Sequence, residues 1–417
     1  MQTWTLKEII DHAKTHSPYY RELYKNVEGY NLSELPIIDQ AHFWKSEVVT
    51  NKSPDGVVFK SGGSTGAPKY SYFTNLEWES FCKAFGQGIS QGILKDGDRV
   101  ANLFYAGDLY ASFLFIKDSL QAIPAASKKL TQFPIAGQTD HLQILKTLEE
   151  FNINTLLGVP SAILIMLEKY SQDKLKFPKL KLEKILFGGE ALYEDQERAL
   201  LKIFPDLEIS SIGCASVDGG LIGYSSVDCQ NGEHRVFTGA NIIEIVDPDT
   251  DEVITEKNKI GKILLTNLTR KLMPIIRYPA GDLAMWMEDE ATPNRKFKLQ
   301  GRSEEAARLG TLSVYFDDSR EMIMKALRSG SLFQFQMVLQ HFDHKDELTF
   351  KIAGTDNKGD SDNRTKILEA FKKEKTAYTD LVQKSLIHPL KIEFVKPSEL
   401  ESNARTGKLK RIIDRRF

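Results

Sequence analysis

Residues 61 to 69 read SGGSTGAPK, a stretch in which three glycines stand among hydroxyl side chains ahead of a single lysine. Backbone N–H groups, hydroxyls and an ammonium are the donors that bind phosphate oxygens. The stretch is not a Walker A loop, because Ala67 replaces the last glycine and Pro68 precedes Lys69. The residues that follow, YSYFT, favour a strand over a helix. The stretch therefore predicts either a mobile surface turn or a phosphate loop without a helix dipole behind it.

The composition limits the classes of protein that this chain can be. Its 417 residues, 41% apolar and 27% charged, are typical of a globular protein of two or three domains. A net charge of -2 gives no long-range attraction for nucleic acid or an anionic membrane, so neither is expected as a partner. Three cysteines cannot form a disulfide framework and show no C-x-x-C spacing, and the longest apolar run is too short to span a bilayer. We expect a soluble, cytoplasmic protein.

The order of predicted elements indicates a large α/β domain over residues 1 to 302. From about residue 99, β-rich apolar runs alternate with helical periodicity, which predicts βαβ units and a mostly parallel sheet. The predicted strands there are RVANLFYA, a run near AIPAA, TLLGVP, KILFGG and LEISSIG. After Asp228, turns separate the strands RVFTG, NIIEIVDP and GKILLTN, which predicts a barrel-like antiparallel part.

Residues 303 to 417 form a smaller predicted α+β domain. Its strands TLSVYF, SLFQFQMVLQ, DELTFKIAG and LKIEFVKP are joined with two helical segments in the order β-α-β-β-α-β, which is the split βαβ pattern. The boundary lies near Arg302, because QGRSEE follows the predicted strand KFKLQ. The basic residues that close the chain are expected to form a solvated tail: Lys410, Arg411, Arg415 and Arg416.

Several motifs together resemble one known superfamily. FKSGGSTGAPK resembles the phosphate loop of the adenylate-forming enzymes, which include acyl-CoA ligases, firefly luciferase and peptide-synthetase adenylation domains. Four further segments resemble that superfamily's motifs in the same order: LFGGEAL at 186 to 192, IRYPAGDLA at 276 to 284, QGRSEE at 300 to 305 and ARTGKLKR at 404 to 411. Ordered matches are far more specific than one short motif. HSPYYRELY and PSAILIML narrow the resemblance to the phenylacetate-coenzyme A ligase-like branch.

The resemblance implies a role for residues in each motif. The loop would bind the phosphates of ATP together with Lys69, through Ser61, Gly62, Gly63, Ser64, Thr65 and Gly66. Gly188, Gly189 and Glu190 would lie beside adenine, and Asp282 would accept hydrogen bonds from the ribose hydroxyls. Arg302 would reach the ribose or phosphates, and Lys408 would bridge the carboxylate and the α-phosphate in a mobile small domain. Outside these motifs, Asp282 would be an ordinary turn residue and Arg302 a solvated arginine.

The segment SIGCASVDGGLIGY, residues 211 to 224, departs from the superfamily pattern. Where relatives have Y-G-x-T-E, with a tyrosine over adenine and a glutamate on Mg²⁺, Ile212 takes the place of the aromatic residue. The metal-binding acid is either Asp218 or missing, and Asp218 is otherwise an ordinary turn residue. The resemblance therefore implies Mg²⁺ as a cofactor but leaves the metal ligand open.

The predicted function is ATP-dependent activation of a carboxylic acid to acyl-AMP, followed by thioester formation with coenzyme A. Two alternatives stay open: transfer of the acyl group to a carrier or protein thiol, and nucleotide binding without catalysis. Aromatic residues expected near the acyl pocket, Phe104, Tyr105 and Tyr110, favour an aryl or hydrophobic acid. The resemblance implies ATP, Mg²⁺ and coenzyme A as cofactors and a small carboxylic acid as the substrate.

Overall fold

A computed structural model describes the chain except residues 1, 52–54, 62–68, 173, 303–305, 310–311, 328–332, 343–344, 355–359, 384, 386, 405–406 and 417. The chain divides into two compact units. The first contains Met1–Ala191 and Asp206–Ser303, and the second contains Leu192–Pro205 and Glu304–Phe417. The segment Leu192–Pro205, predicted as part of the large domain, is therefore grouped with the small unit.

Three short helices open the first unit: α1 (Leu6–His16), α2 (Pro18–Leu23) and α3 (Gln40–Phe43). Thr5 caps α1, and Glu8 completes a reciprocal capping box, which satisfies two of the N–H groups left over at a helix start. Ile9, Ile10 and Ala13 recur at helical spacing on one face of α1 and are fully buried. These helices pack against the apolar residues around Ile275 and Ile276.

A hairpin of two antiparallel strands carries the glycine-rich stretch. Strand β1 (Gly56–Ser61) pairs with β2 (Lys69–Thr74), and Ser61 lies opposite Lys69 in the register. The prediction of a strand after the lysine is confirmed. Residues 62–68, which separate the two strands in sequence, lie outside the described residues.

The predicted parallel sheet is confirmed, with five strands in the order β4-β3-β5-β6-β7. They are β3 (Arg99–Asn102), β4 (Thr131–Pro134), β5 (Thr155–Gly158), β6 (Lys184–Phe187) and β7 (Glu208–Ser211), and every pairing is parallel. The helices of this region are α4 (Asn75–Ile89), α5 (Ser112–Gln121), α6 (His141–Glu150) and α7 (Pro160–Gln172). The prediction of a strand near AIPAA is wrong, because that run forms a turn after α5 and the strand begins at Thr131.

The predicted antiparallel part is also confirmed, as a five-stranded sheet in the order β10-β14-β13-β12-β11. Its strands are β10 (Glu233–Arg235), β11 (Asn241–Val246), β12 (Ile260–Asn267), β13 (Tyr278–Trp286) and β14 (Lys296–Arg302). A separate hairpin of β8 (Cys214–Ser216) and β9 (Gly220–Gly223) precedes it. The turn of that hairpin contains Asp218.

The second unit contains a mixed four-stranded sheet in the order β19-β18-β17-β20. Its strands are β17 (Phe333–Phe342), β18 (Lys345–Gly354), β19 (Lys391–Val395) and β20 (Ile412–Asp414), and its helices are α8 (Glu194–Ile203), α9 (Phe316–Leu327), α10 (Asp360–Glu374) and α11 (Thr376–Gln383). The α+β class is confirmed, but the first predicted strand does not enter the sheet. It is β16 (Leu312–Tyr315), which pairs with β15 (Ala306–Leu309) in a hairpin of its own, while β20 takes the fourth place.

The basic C-terminal segment is not a solvated tail, so that prediction is wrong. Backbone pairing of β20 with β17 places the basic side chains on either side of β20 next to acidic residues. Arg416 forms ion pairs with Asp346 and Asp414, and Lys410 forms one with Glu401 at 3.3 Å. The charges are therefore neutralised within the unit. In the part of the chain that the structure describes, no helix is long and apolar enough to cross a membrane.

Candidate active site

Lys69 stands at the start of β2, where the hairpin presents its ammonium to three elements. Its Nζ donates a 2.8 Å hydrogen bond to Oε1 of Gln40 and lies 3.7 Å from Oδ2 of Asp218. It also lies 3.5 Å from the hydroxyl of Tyr278 and 5.5 Å from the centre of the Trp44 ring. The structure thus joins Lys69 and Asp218, two predicted site residues that are widely separated in sequence.

Tyr278 links the members of this cluster. Its hydroxyl donates to Oδ2 of Asp218 at 3.0 Å and accepts from the indole N–H of Trp44 at 3.2 Å. Burial, with the neighbouring Asp218 carboxylate, raises the pKa of the Tyr278 phenol well above its ordinary value, so it stays a neutral donor. Gln40 also donates to the carbonyl of Pro279 at 2.5 Å, which fixes its amide beside Lys69.

Sequence analysis missed Gln40, Trp44 and Tyr278. Tyr278 lies inside the matched motif IRYPAGDLA and could have been found there, because a tyrosine next to a predicted ribose-binding strand is a natural hydrogen-bond donor. Gln40 and Trp44 lie in or just after the short helix α3, outside every motif, and no local pattern pointed to them.

Backbone register places the predicted ribose-binding residues opposite each other. Asp282 on β13 pairs with Arg302 on β14, beside a local irregularity in the ladder. Gly281 and Gly301, which precede them, both have positive φ angles, +81° and +96°. Glycine is suited to this region of backbone space because it has no Cβ. The two residues are thus brought together, and the Asp282 side chain is half-buried.

The segment after β6 closes tightly against Ile212. A Cβ on Gly188 would lie 2.8 Å from Cγ2 of Ile212 and 3.4 Å from the Phe104 ring, so only glycine fits without a shift. Gly189 follows with φ of +83°. Burial, and to a lesser extent the Glu190 carboxylate, raises the pKa of the Tyr105 phenol. The structure therefore brings the predicted adenine segment, Ile212 and Phe104 to one place.

Ile212 is a core side chain, not an exposed platform. It is 3% exposed, and its N–H donates to the carbonyl of Phe187 at 2.8 Å. The turn that follows is held by Ser211, whose hydroxyl accepts from the N–H of Gly213 at 3.0 Å and lies 2.9 Å from Nε2 of His234. Burial lowers the pKa of His234 to about 4, so the imidazole is neutral at physiological pH.

The remaining predicted residues differ in how far the structure describes them. The glycine-rich residues Gly62, Gly63, Ser64, Thr65 and Gly66 lie outside the described residues, whereas Ser61 ends β1 with a buried hydroxyl that has no hydrogen-bond partner in the described part of the chain. In the second unit, Lys408 is half-buried in a loop closed by two 2.8 Å hydrogen bonds, from Asn403 N–H to its carbonyl and from Gly407 N–H to the Asn403 carbonyl. Gly407 has φ of +68°, which fixes the turn before the lysine.

One carboxylate is available in the cluster for a divalent cation. Asp218 is 17% exposed, and the described residues contain no group of three or more His, Cys, Asp or Glu side chains placed to hold a metal. Mg²⁺ in nucleotide enzymes is commonly held by one or two carboxylates, with phosphate oxygens and water completing six ligands. Asp218 therefore fits a metal that arrives with the nucleotide.

Comparisons with known proteins agree with this architecture. No family model matches the chain. A phenylacetate-coenzyme A ligase of Aromatoleum evansii is 23% identical over 431 aligned positions, which cover 100% of this chain and 94% of that protein. A 2-hydroxyisobutyryl-CoA ligase solved with 2-HIB-AMP in the postadenylation state superposes with a TM-score of 0.69 at 20% identity, covering 99% of this chain and 88% of that one. The acyl acid amido synthetase AtGH3.15, solved with 2,4-DB, has a TM-score of 0.70 at 16% identity and coverage of 99% and 92%.

The predicted resemblance is confirmed at the level of fold and of sequence. The solved structures share the fold, and the similarity to the ligase of Aromatoleum evansii extends over the whole chain. The chain thus has the fold of the adenylate-forming ligases, and its sequence is similar over its whole length to a phenylacetate-coenzyme A ligase.

Proposed function

We propose that this protein activates a small carboxylic acid with ATP and transfers the acyl group to coenzyme A. The observation that carries the proposal is the cluster of Lys69, Asp218 and Tyr278 at the base of the glycine-rich hairpin. It provides a cation for phosphate, a carboxylate for a metal and a neutral donor between them. Full-length similarity to a phenylacetate-coenzyme A ligase supports the same activity.

In the first step a carboxylate oxygen attacks the α-phosphorus of ATP, and the bond from that phosphorus to the β-bridging oxygen breaks to release pyrophosphate. Both reactants are anions, so the site must supply positive charge and donors where charge builds up. Lys69 is placed to exchange Asp218 for a phosphate oxygen, because its 3.7 Å separation from the carboxylate leaves the ion pair loose. Mg²⁺ bound with the nucleotide would neutralise part of the phosphate charge, with Asp218 as its protein ligand.

We assign the other predicted residues by the same reasoning. Asp282, paired in register with Arg302, would accept hydrogen bonds from the ribose hydroxyls, and Arg302 would reach the ribose or phosphates. The Gly188–Gly189–Glu190 segment would lie along adenine with Ile212 beneath it. Lys408 would enter the site with a mobile small domain, residues 303 to 417, and bridge the carboxylate and α-phosphate. In the second step a thiolate attacks the acyl carbon and AMP leaves.

An aryl acid is the substrate class that we propose. Phe104 is buried against the Gly188 face, and the half-buried Tyr105 ring packs so closely on Gly137 that a Cβ there would lie 2.5 Å from it. Aromatic rings bind flat apolar groups through offset or edge contacts.

We also propose that the protein works in the cytoplasm, because coenzyme A thioester chemistry needs a pool of ATP and reduced thiols.

Pyrophosphate release tests the proposal. Purified protein with ATP and Mg²⁺ should release pyrophosphate with phenylacetate or another aryl acid and little with acetate, and coenzyme A should yield the thioester. Activation without thioester formation would instead indicate a different acceptor, such as a carrier or protein thiol. ATP binding without pyrophosphate release from any acid would identify a nucleotide-binding protein and refute the proposal.

A further inference from the structure

Arg270 is a buried cation that lies behind the candidate site. Its side chain is 1% exposed and is the largest of the fully buried side chains in the described part of the chain. Burial lowers the pKa of its guanidinium to about 10, against the opposing effect of Glu77 and Asp218, so it stays charged at neutral pH. A charge in the core is costly unless it is paired and hydrogen-bonded. This position therefore needs an explanation beyond packing.

The guanidinium bonds to two separate segments of backbone. Its Nε and one terminal nitrogen donate to the carbonyl of Tyr72 on β2, at 3.2 and 3.1 Å. The other terminal nitrogen donates to the carbonyl of Asp218 at 3.0 Å and lies 3.5 Å from that of Val217. Its plane lies over the Phe73 ring at 4.0 Å. Within the described residues no ion pair joins it to a carboxylate, so its hydrogen bonds go to carbonyls and to the Met273 sulfur.

These two segments are the ones that carry Lys69 and Asp218. Tyr72 follows Lys69 by three positions on the same strand, and the Asp218 carbonyl belongs to the residue whose carboxylate faces Lys69. We infer that Arg270 is a positioning residue for the phosphate face of the site, which holds β2 and the Asp218 turn in register from behind. The inference rests on the proposed function, because it assigns nucleotide phosphates to that face.

The fork of the guanidinium explains why arginine is needed. Five N–H donors in one plane can span the Tyr72 and Asp218 carbonyls at once, whereas a lysine ammonium is a point charge on a flexible stem. Lysine would keep the positive charge and lose the bridge. Positioning and simple electrostatic attraction therefore give different results for Arg270→Lys.

Equilibrium binding of ATP with Mg²⁺ and of adenosine tests the inference on the full-length protein. Arg270→Lys and Arg270→Met should each weaken ATP binding by about tenfold or more, the order expected for lost charge-assisted hydrogen bonds, while adenosine affinity stays within about threefold. Arg295→Met is the matched control, because Arg295 is also buried, stacks on Trp286 at 4.2 Å and donates to the carbonyls of Glu288 and Thr255. It should lower the melting temperature and leave both affinities unchanged.

Three results would overturn the inference. If Arg270→Lys binds ATP as tightly as the wild-type protein, charge alone matters. Equal losses of ATP and adenosine affinity would indicate general disruption. An Arg270→Lys protein that does not fold would show that the residue is purely structural. If Arg270→Met alone fails to fold, Arg270→Lys decides. A wild-type protein that binds no ATP refutes the proposed function, whereas wild-type binding with an unchanged Arg270→Lys refutes only the role of Arg270.

Discussion

Replacing Lys69 with methionine should slow adenylation far more than it destabilises the fold. The bare Coulomb energy of charges 3.7 Å apart, as Lys69 and Asp218 are, is about 4.5 kcal/mol at an effective dielectric constant of ~20. The side chains are 28% and 17% exposed, and pairs reached by water typically contribute about 0–1 kcal/mol. We therefore expect a stability loss of about 1 kcal/mol or less. In the proposed reaction the same ammonium faces developing charge in the transition state, and losing one such group typically costs about 10² to 10³ in rate, or ~2.7–4 kcal/mol.

The assay is pyrophosphate release with saturating aryl acid, measured beside urea unfolding of the same preparation. Lys60→Met is the matched control, because Lys60 lies on the partner strand of the same hairpin and forms an ion pair with Asp108. That pair lies outside the Lys69 cluster. The control should therefore lose stability to a similar extent, while its adenylation rate stays within about a few fold of the wild-type rate.

Two outcomes would refute the reasoning. A rate loss below about tenfold for Lys69→Met would mean that the ammonium does not face the reacting phosphates. Equal rate losses in Lys69→Met and Lys60→Met would mean that any damage to the hairpin has the same effect, and that the cluster geometry is not what matters.

Three further predictions concern other parts of the chain. Lys408→Ala should slow pyrophosphate release by about 10² or more and leave thioester formation from supplied acyl adenylate within a few fold, whereas equal losses in both steps would refute the mobile-domain role. Lys184→Met should lower the free energy of unfolding by about 3–5 kcal/mol in urea titrations, because Lys184 and Asp98 form a 2.7 Å ion pair at 2% and 4% exposure. Adenylation should persist, because Lys184 begins β6 and ligands bind at the carboxyl ends of parallel strands. Hydrogen bonds from Arg235 hold the pKa of Asp228 well below its ordinary 3.8, so the Asp228 carboxylate stabilises the fold above pH 3.8 and loses this effect as the pH falls below it. Asp228→Asn should therefore lower the urea midpoint at pH 7 and make the midpoint fall less steeply in acid. An unchanged midpoint at pH 7 would contradict this.

Local patterns determined the elements and the class of fold. Periodicity of two and of 3.6 residues is a property of neighbouring side chains, so β5, α7 and β6 could be predicted from TLLGVP, SAILIMLEKY and KILFGG. Their alternation indicated the parallel sheet for the same reason. The glycine-rich stretch and the four other motifs predicted the resemblance to the superfamily and the candidate residues Lys69, Asp282 and Lys408. They could do so because the backbone geometry of a phosphate site requires particular residue types in a short span.

Pairing between strands depended on tertiary structure. The run TLSVYF has the composition of a sheet strand, but β16 pairs with β15 and leaves its place to β20, whose three residues are too short to show a pattern. The basic residues around β20 looked like a solvated tail because their acidic partners are distant in sequence: Asp346 for Arg416 and Glu401 for Lys410. A sequence window shows the charges of a segment and cannot show which charges fold beside it.

The residues of the candidate site likewise depended partly on sequence and partly on tertiary structure. Sequence alone supplied Lys69 and left Asp218 undecided between a metal ligand and an ordinary turn residue. Only the fold decided that Asp218 faces Lys69, that Tyr278 bonds to it, and that Gln40 holds the lysine from a helix that no motif marks. It also decided that Arg270 lies behind both segments rather than at the surface. These contacts join residues far apart in the chain, and their geometry is set by the packing of strands and helices, which local residue preferences do not encode.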